Sequence, residues 1–149
     1  MPITTWPHAH LAHAVALYLM NVTSAGPRVT TRVPRNRTYP LLVVQPAGLG
    51  PLGTDSAIQA DEPRLQIDGW AETQEAAYAL GAEAFRLLDA RFNGAPRFVT
   101  WMTEDEAEPG QWYETKIERI RRAGGGELYF DEIARVFRST VFYFAKINL

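Results

Sequence analysis

The sequence contains no cysteine, which removes disulfide scaffolds, thiolate metal sites and cysteine nucleophiles from consideration. No run approaches the roughly 20 apolar residues of a membrane span, and no charged leader precedes an apolar stretch near the start. A soluble protein made inside the cell is therefore expected. Strong charge of either sign is missing too. Fifteen basic residues stand against seventeen acidic ones, giving a formal net charge of -2 and a pI near 5.9, unlike the basic footprint of a protein that binds nucleic acid over its whole surface. Two familiar ligand loops are lacking. The glycine-rich stretch 46–63 has no Lys-Ser/Thr after its glycines and runs into no helix start, and the acidic stretch 103–110 lacks the Asp-x-Asp-x-Asp-Gly spacing of a calcium loop.

What is present is core material. The chain is 46% hydrophobic, with seven Phe, six Tyr and four Trp in 149 residues, enough for one domain over 1–149 that buries roughly 68–70% of its unfolded surface. The clearest segment is 64–92. Leu65 and Ile67 alternate with Gln66, Asp68 and Trp70, the two-residue period of a half-buried strand. Thr73 then suits a helix N-cap with Glu72 and Glu75 at the positive end of the dipole. Ala77, Leu80, Gly81, Ala84, Leu87 and Leu88 follow at helical spacing, with Glu75, Glu83 and Arg86 opposite and Asn93-Gly94 as the stop. The small residues Ala77, Gly81 and Ala84 predict a helix lying close against a sheet.

Elsewhere, residues 5–20 read as a first helix with Pro7 in its first turn and Leu11, Val15, Tyr18 and Val22 in one stripe. Leu17 and Met20 project from the other side beside His10 and His13, so this helix carries more apolar surface than a monomer's surface helix needs. Residues 28–33 and 41–45 read as strands, the second apolar on both faces and so covered twice. The segment 46–63, with Gly48, Gly50 and Gly53, is longer than an ordinary connection and is expected to meet a partner. Strands are further expected over 97–102, 112–121 and 133–147, with Gly124-Gly125-Gly126 as a turn or flexible tip. In the last strand Phe137, Val141 and Tyr143 point one way, Phe142 and Phe144 the other. The class is α+β, a mixed or antiparallel sheet of about five to six strands covered by two helices.

Candidate chemistry is sparse. His8, His10 and His13 invite a metal, but no carboxylate or thiolate ligand lies near them in sequence, so packed or exposed histidines are the preferred reading. Arg32, Arg35 and Arg37 fit a solvated turn better than a phosphate patch, since no ladder of aromatics accompanies them. Asp68, Glu72 and the histidines are the residue types an enzyme would use, but on a strand, a cap and a distant helix they show no convergence. No catalytic, metal or cofactor site is expected. Glu104, Asp105, Glu106 and Glu108 read as a solvated loop, with a negative channel lining as the sharper alternative.

The order helix, strands, helix, strands, together with the words Tyr39-Pro40-Leu41-Leu42-Val43-Val44, Arg64-Leu65-Gln66-Ile67-Asp68-Gly69-Trp70-Ala71 and Arg138-Ser139-Thr140-Val141-Phe142-Tyr143, resembles the tail terminator proteins of long-tailed bacteriophages. The resemblance spans most of the chain and implies a small α+β subunit without catalytic residues. It implies assembly, usually six copies at a time, into a ring that caps the tail tube, ends its growth and joins it to the head. Other neck subunits, head-closure or adaptor proteins, are alternatives. The implied partners are further copies of the chain, the tail tube protein and a head-completion protein, with DNA passing through unread and no membrane. The implied location is the neck end of the virion tail, and host cytoplasm during assembly. Within this picture Leu17, Met20, Gly48, Gly50, Gly53, Phe142 and Phe144 are the candidate contact residues. A sheet-based nucleic-acid module is a further alternative, disfavoured because strand 141–144 carries basic residues only at its ends.

Overall fold

The computed structural model describes residues 7–47, 64–92, 97–102 and 112–148. In chain order these form helix α1 (Pro7–Val22), a 3-10 turn (Gly26–Arg28), strands β1 (Val29–Thr30), β2 (Leu41–Pro46) and β3 (Arg64–Ala71), helix α2 (Gln74–Phe92), and strands β4 (Arg97–Met102), β5 (Trp112–Asp131) and β6 (Val136–Asn148). Among the described residues six strands make one sheet in the order β1-β2-β3-β6-β5-β4. β1 lies parallel to β2, and every other neighbouring pair is antiparallel. The chain is thus the α+β protein with two helices and a mixed sheet that the patterning implies.

Both helices pack on one face. Leu11, Ala12, Val15, Ala16 and Leu19 of α1 and Leu80, Ala84, Leu88 and Phe92 of α2 share a core with Leu42, Val44, Leu65, Ile67, Ile117, Ile120, Val141, Tyr143 and Ala145 of the sheet. The residues that alternate along each strand decide which side chains enter this core, because successive Cβ atoms point to opposite faces. α2 begins as its sequence requires, with Thr73 Oγ1 accepting from Ala76 N at 3.2 Å. It approaches the sheet through glycine: a Cβ on Gly81 would lie 2.9 Å from Ser139 Oγ on β6, and one on Gly69 of β3 would lie 3.4 Å from the Ala77 carbonyl and from Leu80. A clip joins the helix layer at its edge, where Glu83 accepts from both the backbone N and the hydroxyl of Ser24 at 2.7 Å.

Four expectations are corrected. First, the strand expected over 28–33 is only Val29–Thr30, because Arg28 belongs to the 3-10 turn and donates from Nε to the Pro40 carbonyl at 2.8 Å. Second, Val22 is exposed instead of lying in the α1 stripe, and the half-buried Met20 packs against the chain's own core. The surplus apolar surface of α1 is therefore smaller than its sequence suggests. Third, Gly124-Gly125-Gly126 is no turn. It lies inside β5, where the pairing with β6 shifts register between Arg122 and Gly124 and again between Gly125 and Glu127. Gly125 has φ +97° and its missing Cβ would come 2.7 Å from the Thr140 carbonyl, so the bulge needs glycine for backbone and for space. Fourth, the chain reverses at 132–135, which the expected strand had absorbed at its start. The segments 48–63 and 103–111, and the helix stop at Asn93-Gly94, lie outside the described residues.

The two glycine contacts generate a stability test. Gly125→Ala is expected to cost about 1–3 kcal/mol, through a disfavoured φ and a clash with β6. Gly81→Val should cost a similar amount, roughly 1–3 kcal/mol, by lifting α2 from Ser139. Urea denaturation of both variants beside the parent measures the two losses.

Candidate assembly surface

The face of the sheet turned away from the helices is built in rows, because residues paired directly across antiparallel strands stand side by side on the same face. Reading β3, β6 and β5 in register, the rows are Arg64, Phe144 and Arg121, then Gln66, Phe142 and Gly124, then Asp68, Thr140 and Glu127, then Trp70, Arg138 and Tyr129. The outer rows mirror each other: two guanidiniums flank a ring in the first, and two rings flank a guanidinium in the last.

The geometry follows that chemistry. The Arg64 guanidinium carbon lies 5.4 Å from the Phe142 ring centre and 5.6 Å from that of Phe144, and Arg121 lies 5.5 Å from Phe144 on the other side. Arg138 is 5.5 Å from Trp70 and 5.2 Å from Tyr129. Arg37, arriving from the connection ahead of β2, is 5.2 Å from Trp70. Such contacts are each worth about 0.5–1 kcal/mol at exposed sites. They hold the guanidinium carbons over the rings.

Beneath the rows the face is partly closed. Leu41, Val43, Trp70 and Val136 form a small second core, with Tyr39 and Ala134 packed on it. Asp68 is buried, its carboxylate accepting from the Gln66 amide at 2.9 and 3.1 Å. The Glu127 carboxylate accepts from the Tyr129 hydroxyl, and that bond, followed by the charge behind it, raises the phenol's pKa above its ordinary value. Phe142 and Phe144 remain half-buried, and neither helix reaches them.

The hairpin joining β5 to β6 ends in an apolar tip, where the paired Phe130 and Phe137 lie on the helix side of the sheet. Ile133 at its turn is 98% exposed and Phe130 is 50% exposed, with Phe130 packed at 4.9 Å against Phe137. The turn is held by Asp131, whose Oδ1 accepts from the backbone N of Ile133 and of Ala134 at 3.0 Å each, while Arg135 takes a left-handed φ of 56°. The Ala134 bond leads in depressing the Asp131 pKa and outweighs the opposing effect of burial, with further help from the Ile133 bond, Arg37 and Arg138.

The structure separates the residue types an enzyme would need. Asp68 is on the outer face, His13 on α1 across the sheet, and Glu72 exposed at the turn before α2. Desolvation first, and the charge of Arg32 second, lower the His13 pKa. Among the described residues no three of His, Cys, Asp and Glu gather as a metal site, and no helix is long and apolar enough to cross a membrane. Of the candidate contact residues, Phe142 and Phe144 stand together on the outer face, whereas Leu17 and Met20 are half-buried on α1, away from them. Gly48, Gly50, Gly53, Glu104, Asp105, Glu106 and Glu108 lie outside the described residues. The arginines were missed. Only the register between strands brings Arg64 and Arg121 beside Phe142 and Phe144, and this removes the premise that β6's aromatics lack basic neighbours.

The chain is an α+β protein with one helix-covered sheet face and a guanidinium–aromatic face that neither described helix reaches. A family model described as tail completion protein gp17 matches residues 8–108, more than half of the chain, and the chain belongs to that family of phage tail structural proteins. The match runs from α1 through the acidic stretch and stops short of β5 and β6. No curated protein matches the chain.

The Asp131 contacts make the tip sensitive to acid. Because the folded carboxyl titrates below its ordinary 3.8, its support is complete above that pH and is lost as pH falls through the lower, folded value. Hydrogen exchange should show protection at Ile133 and Ala134 declining across that interval, and Asp131→Ala should abolish it already at neutral pH.

Proposed function

We propose that copies of this chain close into a ring at the end of a phage tail tube, stop the tube's growth and join the tail to the head. Membership of the tail completion family supports a place in the virion tail. The observation that carries the rest is the outer sheet face, where Phe142 and Phe144 stay half-buried beyond the helices' reach, with exposed Ile133 at the nearby hairpin turn. Apolar area of this kind marks a contact surface, and a head-to-tail contact closes into a ring when its rotation permits. Six copies is the number the sequence resemblance implies. The partners in this reading are the tail tube protein on one side and a head-completion protein on the other. The segment 46–63, with Gly48, Gly50 and Gly53, reaches one of them, and DNA passes through without being read.

Native mass spectrometry and negative-stain images should show closed rings, free at high protein concentration or seated on tube ends. A phage deleted for this chain should make tubes longer than normal and unjoined to heads. Monomers alone at every concentration, with tubes present, would overturn the ring. Tubes of normal length in the deletion would move the protein from ending growth to head closure.

A further inference from the structure

Charge along this chain is segregated. The segments 48–63 and 103–111 hold three and four acidic residues and no basic one, so the rest of the chain carries all fifteen basic residues against ten of the seventeen acidic. On the outer face the basic excess gathers at one end. Arg119, paired opposite Lys146, lies on the same face as Arg121, paired opposite Phe144, with Arg64 on the far side of that ring. Among the described residues, Arg64, Arg119 and Arg121 meet no carboxylate. Arg64 and Arg121 are held by rings alone, and Arg64 Nε, though buried, has no acceptor. The densest acidic run, Glu104, Asp105, Glu106 and Glu108, falls in sequence between β4 and β5.

We propose that the guanidinium–aromatic face formed by Arg64, Arg119, Arg121, Phe142 and Phe144 receives the carboxylates of residues 104–108 from a second copy of the chain, joining neighbours head to tail. This rests on the ring reading above and specifies its interface. An acidic polypeptide fits the face better than nucleic acid does. Arg64 and Arg121 already stand over Phe142 and Phe144, so incoming bases find those rings partly covered. Arg119 and Arg121 are exposed, and the N–H fork of a guanidinium matches carboxylate. The basic and acidic patches lie on different segments of one sequence, and a heterologous, ring-forming contact joins two unlike patches. In this arrangement the four carboxylates face a neighbour and do not line a channel.

The test is a charge swap read by analytical ultracentrifugation and native mass spectrometry of the full chain at low and high salt. Arg119 and Arg121 are exposed, so R119E/R121E keeps the fold, which circular dichroism verifies. That variant, and separately E104K/D105K/E106K/E108K, should weaken self-association about 10- to 100-fold at low salt. A chain bearing both sets should recover much of the loss, and high salt should weaken the parent. Either single set assembling like the parent, or both failing and the combination staying as weak as the worse one, overturns the proposal while leaving the ring intact. Normal rings with lost infectivity in the lysine variant assign the carboxylates to the channel and overturn it. Loss of duplex DNA binding without loss of assembly in R119E/R121E makes phosphate the partner, with the same consequence. A parent that never assembles, even on tube ends, removes the ring and this interface together.

Discussion

The pairing of β3 with β6 is the constraint on which the rest of this structure depends. Eight residue pairs, from Arg64 with Phe144 to Ala71 with Phe137, join segments that lie far apart in sequence. β2 and the short β1 are added on one side, and β5 and β4 on the other. Since a slip of one residue would send every side chain of a strand to the opposite face, this register decides both faces at once. Leu65, Ile67, Val141 and Tyr143 go under the helices, and Arg64, Trp70, Arg138 and Phe144 go outward.

The two faces then meet opposite fates. On the inner side α2 can settle onto β3 and β6 only because Gly69 and Gly81 leave room for backbone and for Ser139. Tyr18 of α1 locks against α2 by an edge-on contact with Phe92 at 5.5 Å, its hydroxyl donating to the Leu87 carbonyl at 3.3 Å. That layer is closed. On the outer side no helix packs among the described residues, and the arginines form a partial cover over the rings. A guanidinium on an aromatic face is a weak lid in energy, about 0.5–1 kcal/mol.

The glycine bulges in β5 connect the two faces. By shifting register twice between Arg122 and Glu127, they let a 20-residue strand stay paired with β6 from the core out to the hairpin tip. Bulges increase local twist and re-aim side chains. Here Arg122 stands over Phe85 of α2 on the inner side, while Arg121, its neighbour in sequence, stands over Phe144 on the outer side.

Much of this was legible in the order of residues. Helical spacing from Ala77 to Leu88 and the Thr73 cap predicted α2, the alternation over 64–71 predicted β3 with its faces correctly divided, and the apolar run from Leu41 to Val44 predicted a buried strand. These signals are local, since a period of 3.6 or 2 and a capping hydroxyl act within a turn or two of chain. The glycine triplet misled because the same residue serves a turn and a bulge, and only the partner strand tells them apart. Met20 misled because its burial depends on how α1 is placed over the sheet. The guanidinium–aromatic rows were invisible for the same reason. Arg64, Arg121 and Phe144 are distant in sequence and become neighbours only through strand register. Composition and local periodicity thus determined the class of fold, its helices and the inner face of its central strands. Tertiary structure alone decided what stands beside what on the outer face, because cross-strand adjacency is set by long-range pairing that no local pattern encodes.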